Sequence, residues 1–201
     1  MKRFISYTLL IISCILLFAG CKKKNNEDFL PCLSLKENET VNIVQFMSFY
    51  GNWTPVEAAQ NLKELGQCVN ARPGDDGLLI VTHNKQTLEQ EHERIVGLLK
   101  DTITRAGNVT VSSDCNKVTY SIDETITTPT FMNSFMAILP SCLLLQLYSG
   151  IPYEEVNVQL KIIYNPTGKT MYDVNVSYDN SLYITDEEWT EKLEEVKQHK
   201  K

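Results

Sequence analysis

The chain has 201 residues, 43% of them hydrophobic, with 25 acidic side chains against 19 basic ones and a formal charge of −6. That length and apolar content suit one domain with its own core, while the acidic balance argues against nucleic acid, whose partners carry a basic footprint. Its 6 cysteines and 3 histidines include no C-x-x-C and no H-E-x-x-H, so no zinc knuckle, thioredoxin-like pair or zincin centre is written here and no cofactor is expected.

At the N-terminus Lys2 and Arg3 precede an apolar run from Phe4 to Phe18, and Lys22-Lys23-Lys24 cut it short. A basic head, an apolar core of this length and a small-residue exit form a secretory signal; a spanning helix needs ~20 apolar residues. The run closes on Leu17-Phe18-Ala19-Gly20-Cys21. This ending resembles the lipobox of bacterial lipoproteins. The resemblance implies that residues 1–20 are removed, that Cys21 is acylated on its sulfur and on its new amino group, and that this lipid holds the protein to a membrane. On the residues alone two other readings stay open: an ordinary cleaved signal with Cys21 in a disulfide, and an uncleaved anchor. Lys22, where an aspartate would otherwise follow the cysteine, implies the outer membrane by resemblance to the enterobacterial sorting rule. Loss of Lys2 and Arg3 leaves 17 basic residues against 25 acidic ones, a formal −8.

Cys14 leaves with the signal, so Cys32, Cys68, Cys115 and Cys142 remain. An even number in an exported chain predicts one or two disulfides among them, with three pairings open. Cys142 lies in an apolar run, where the other reading is a buried free thiol. Residues 21–31 are polar and short and read as a tether, leaving 32–201 as one globular domain.

Within that domain, 41–50 is apolar without a clean period, so strand and helix both stay open. Thr54-Pro55-Val56-Glu57 predicts a capped helix start, with Ala58, Ala59, Leu62 and Leu65 on one face and Gly66 as the stop. A turn cluster at 72–77 leads into a short apolar strand, Leu78 to Thr82. Thr87 and Gln90 then suggest a capping box for an amphipathic helix over about 85–105, its stripe being Leu88, His92, Ile95, Val96, Leu99 and Ile103.

Alternation predicts two hairpins, one pairing Val109 and Val111 with Val118, Tyr120 and Ile122. The other pairs 156–164 with 172–178 around the turn Asn165-Pro166-Thr167-Gly168, with one apolar and one wet face. Between them, 131–149 carries no charge, and Asn133, Pro140 and Gln146 interrupt it; it is expected to be a buried helix bent or broken near Pro140, membrane insertion being the alternative. Thr185 and Glu188 cap a final helix with the stripe Trp189, Leu193 and Val196. The fold class expected is α+β: antiparallel β-hairpins packed against amphipathic helices in a single domain.

No constellation for catalysis emerges. Gly168-Lys169-Thr170 ends like a P-loop, but Ile163 stands where the first glycine belongs and a strand follows. His92 falls on an apolar stripe and reads as a core histidine; Glu89, His92 and His83 have no metal-site spacing. Asp75-Asp76 and Asp123-Glu124 are turn residues whose neighbours point apart. The function expected is therefore a non-enzymatic, membrane-anchored envelope lipoprotein with a protein partner, of the assembly or immunity kind. A small-ligand or glycan-binding lipoprotein is the alternative, distinguished by a deep aromatic pocket. A cell-wall-acting enzyme is the third, distinguished by a histidine meeting a cysteine or carboxylate in a cleft.

Overall fold

The computed structural model describes residues 29–46, 50–75, 77–177, 180, 182 and 184–197. The signal stretch, Cys21, most of the tether, Tyr178 and His199 lie outside the described residues.

Two sheets carry the chain. The first is antiparallel in the order β1-β3-β2, from β1 (Thr40–Phe46), β2 (Asn70–Pro73) and β3 (Leu78–Asn84). Over Thr40–Phe46 the apolar run thus resolves as a strand, because Ile43 and Phe46 find a core only when β1 pairs along the full length of β3. The turn-rich stretch at 72–77 conceals β2, too short and polar to show a period. The second sheet has the order β4-β5-β6-β7, from β4 (Val109–Val111), β5 (Lys117–Ile122), β6 (Asn157–Tyr164) and β7 (Lys169–Ser177).

Four helices complete the α+β domain: α1 (Pro55–Glu64), α2 (Lys85–Ala106), α3 (Thr128–Tyr148) and α4 (Asp186–Lys197). Capping sets their starts. Thr54 and Glu57 form the expected reciprocal box on α1. On α2 the box is formed by Asn84 and Thr87, three residues ahead of the expected Thr87–Gln90 pair, since Asn84 at the end of β3 already has the extended backbone an N-cap requires. Leu65, expected on the buried face of α1, is 51% exposed; it is the C-cap, where the helical period ends.

The two predicted hairpins are present, and the second sheet joins them. β5 and β6 pair in parallel, from Lys117↔Gln159 to Ile122↔Tyr164. A parallel pair needs a long crossover, and α3 supplies it. In the second hairpin Val158↔Val176, Leu160↔Val174 and Ile162↔Tyr172 pair residues of the two expected apolar faces, and the register then slips between Ile162 and Ile163 so that Met171 turns inward as an extra residue.

α3 is one continuous helix through Pro140; no break occurs there. It is long and apolar enough to cross a membrane by length and composition. In this fold, however, Ser141 to Tyr148 are buried one after another, enclosed on every side as expected of a helix without a polar stripe. Phe131 meets Tyr120 edge-on at 4.9 Å and Trp189 of α4 at 4.9 Å, so α3 and α4 cover the same apolar side of the sheet. A smaller core (Ala58, Ala59, Leu62, Cys68, Leu79 and Val81) lies beneath α1. Phe29 and Leu30, placed in the tether by composition, pack against the main core.

Candidate functional site

Two regions carry polar chemistry: the uncovered face of the second sheet and a closed cluster at the junction of the first sheet with α2 and α3.

The uncovered face follows from pairing. Side chains opposite one another in a ladder share a face, so Thr110↔Thr119, Thr119↔Lys161 and Lys161↔Asp173 make one continuous polar row across all four strands. Gln159↔Asn175 forms a second row beside it, and Gln159 Nε2 donates to Asp173 Oδ1 at 2.8 Å. These side chains are exposed or half-exposed. The wet face expected of the second hairpin therefore extends over the whole sheet.

The closed cluster contains Gln45, Tyr50, His83, Glu91, Arg94 and Tyr148. Tyr50 donates to Gln45 Oε1, and Gln45 Nε2 donates to the Tyr148 hydroxyl oxygen at 3.3 Å. On α2, Arg94 reaches Glu91 Oε2 through both Nε and an Nη nitrogen, at 2.9 and 2.7 Å. Burial raises the Tyr50 and Tyr148 hydroxyls well above the ordinary phenol range, and each is raised further by the Glu91 charge. His83 stacks edge-on to Tyr148 with ring centres 5.5 Å apart. It is 1% exposed, and neither ring nitrogen has a hydrogen-bond partner among the described residues. Burial holds its pKa down at about 4. At neutral pH the cluster thus contains protonated tyrosines and an uncharged imidazole.

Sequence reasoning named His83 and missed the others. Glu91 falls one position from His92 on the buried side of α2, and a glutamate there reads as solvent-facing until Arg94 is seen beside it. His92 is buried, and its Nε2 donates to the Leu30 carbonyl at 2.8 Å. Glu89 is exposed, and no group of three or more metal-ligating side chains occurs among the described residues.

The four remaining cysteines divide between the cores. Cys68 belongs to the small core and Cys32 packs against the main one; burial raises the Cys32 thiol to about 11, with Glu89 and Glu93 adding to it. Cys115 and Cys142 are both fully buried in the main core, and all four thiols are free in the structure. Asp123 and Glu124 diverge as adjacent turn residues should: Asp123 Oδ1 accepts from the Thr125 N–H and hydroxyl, and Glu124 accepts from the Tyr164 hydroxyl. Of the tyrosines that alternation turns inward with the valines, Tyr164 is buried and Tyr172 half-buried, and Tyr178 lies outside the described residues.

Compared with protein-family models, curated proteins and solved structures, the chain matches none.

Proposed function

We propose that this protein is a lipid-anchored envelope protein of bacteria whose domain recognises another protein through the uncovered face of its second sheet. Leu17-Phe18-Ala19-Gly20-Cys21 carries the anchor. The continuous polar rows through Lys161 and Asp173 support recognition. Such a face is broad and hydrogen-bonding, suited to a protein surface, whereas the buried tyrosines pack into the core, Tyr120 against Phe131 and Tyr148 against His83. The shallow hollow at Lys36–Glu39 is open to solvent and lined by one turn, without the aromatic walls a glycan or small ligand prefers. The outer membrane is the proposed location, by the Lys22 resemblance.

The test has two arms. Cys21→Ala is expected to release the protein from the membrane fraction; a variant that stays membrane-bound overturns the anchor and turns attention to α3. A photo-cross-linker in place of Asn175 is expected to capture one envelope protein, with a yield that drops tenfold or more when Lys161→Glu is added. Capture indifferent to Lys161→Glu, or attachment to a glycan, overturns recognition through this face.

A further inference from the structure

Cys115 stands in the turn between β4 and β5 and Cys142 in the buried half of α3. Three observations bring them together. The first is backbone conformation: Cys115 has φ +56°, while every other positive φ among the described residues belongs to a glycine. A β-carbon costs energy in that region, and asparagine or glycine is the usual occupant of such a turn. A cysteine held there has its side chain fully buried rather than exposed at the turn's tip.

The second is the position of α3. Gln146 Nε2 donates to the Cys115 carbonyl at 2.8 Å. Residues four apart in a helix lie on one face a turn apart, so Cys142 is set on the same face as the group that grips Cys115. The third is proximity: the Cys115 side chain lies near enough to the Cys142 thiol to hold it, together with burial, well above the ordinary thiol range, and both are completely shielded from water.

We propose that Cys115 and Cys142 form the structural disulfide of the mature protein, tying the β4–β5 turn to the crossover helix. The proposal rests on the export reading for its oxidising compartment. The oxidant is a disulfide-bearing thiol oxidoreductase or small-molecule disulfide. The thiolate of one cysteine attacks the oxidant's disulfide to give a mixed disulfide, and the second cysteine then displaces the oxidant. One Sγ–Sγ bond forms, the oxidant's S–S bond breaks, and the two thiol protons and two electrons leave with the reduced dithiol. Because neither sulfur is reachable in the closed fold, the exchange belongs to folding, before α3 closes over the turn. Cys32 and Cys68, seated against different cores, stay reduced.

The test uses the full chain, reduced and unfolded, then refolded in a mixture of oxidised and reduced glutathione. Free thiols are alkylated and the protein is digested without reductant. The expected product is lighter by two hydrogens before alkylation, yields one cross-linked peptide containing Cys115 and Cys142, and loses the bond to dithiothreitol only when denaturant is added. Its urea midpoint is expected to fall when that bond is reduced. Cys32→Ser with Cys68→Ser is expected to give the same cross-link; where that variant does not refold, the wild-type map decides. Alkylation of Cys115 and Cys142 as free thiols after refolding, or a cross-link between other cysteines, overturns the assignment. Failure of the anchor would appear in the Cys21→Ala fractionation and leave this refolding result unchanged.

Discussion

Gln146 and Asn157 hydrogen-bond to one another in both directions. The Gln146 Nε2 donates to the Asn157 carbonyl at 2.9 Å, and the Asn157 N–H donates to Gln146 Oε1 at 3.3 Å. With its further bond to the Cys115 carbonyl, one buried side chain fastens α3 to the start of β6 and to the turn before β5, the two strands that pair in parallel. In sequence this glutamine looks like an interruption of an apolar helix. In the fold it satisfies three backbone groups that helix and sheet leave without partners.

Gln146→Leu is therefore expected to destabilise the protein by about 3 kcal/mol, since buried carbonyls and an N–H lose their partner. Gln146→Glu is expected to cost more at neutral pH, because a carboxylate cannot donate to either carbonyl. Urea unfolding followed by circular dichroism checks the order; a leucine variant as stable as wild type would show that water replaces the amide.

Acid should weaken the fold through His83. Its folded pKa of about 4 lies below the ordinary 6.5, so between these values the unfolded chain binds the proton and the folded one does not. The stability is present in full above pH 6.5 and is lost as pH falls toward 4, by up to about 3 kcal/mol. His92 is shifted in the same direction, chiefly by burial, and adds to the slope. His83→Phe removes two unpartnered nitrogens and is expected to flatten the pH 4–6.5 profile while leaving neutral stability equal or higher. An unchanged profile in that variant would shift the acid sensitivity to other groups.

The Arg94–Glu91 pair is half in the interior, with side chains 32% and 8% exposed. Arg94→Met leaves the buried carboxylate without its partner and is expected to cost about 1–3 kcal/mol. The double variant Arg94→Met with Glu91→Leu is expected to recover most of that loss, read as a coupling in a double-mutant cycle.

Along α3 the two ends should respond differently to truncation. Leu145 is completely buried, and Leu145→Ala is expected to cost about 2–5 kcal/mol through the cavity it leaves. Met136 is 58% exposed, and Met136→Ala is expected to change stability by less than about 0.5 kcal/mol. A helix lying in a bilayer would instead lose membrane affinity with Met136→Ala and be insensitive at Leu145, which membrane flotation of both variants distinguishes.

Much of the secondary structure is legible because its causes are local. The Thr54–Glu57 box, the stripe from Leu88 to Leu99 and the alternation through Val158, Leu160 and Ile162 each arise within a few residues, and the structure places them where those patterns point. The misplaced α2 cap shows the limit: Asn84 and Thr87 offer two capping side chains in one stretch, and the end of β3 selects between them. β2 carries no period of its own and exists because β3 has an open edge.

What the sequence determined by itself is the type and apolar face of every described segment except β1 and β2, together with the lipobox-like ending on which the anchor proposal stands. Periodicity is a property of a segment, and burial follows it. Only the tertiary structure decided that β5 and β6 run parallel, that the Glu91–Arg94 pair of α2 is covered, that His83 is left without a hydrogen-bond partner among the described residues, and that Cys142 lies near Cys115 rather than Cys32 or Cys68. Each depends on which distant segments become neighbours. An apolar face specifies that it must be covered without specifying by what, because hydrophobic burial has no direction; hydrogen bonds such as those of Gln146 then fix the single arrangement in which every buried backbone group around them is satisfied.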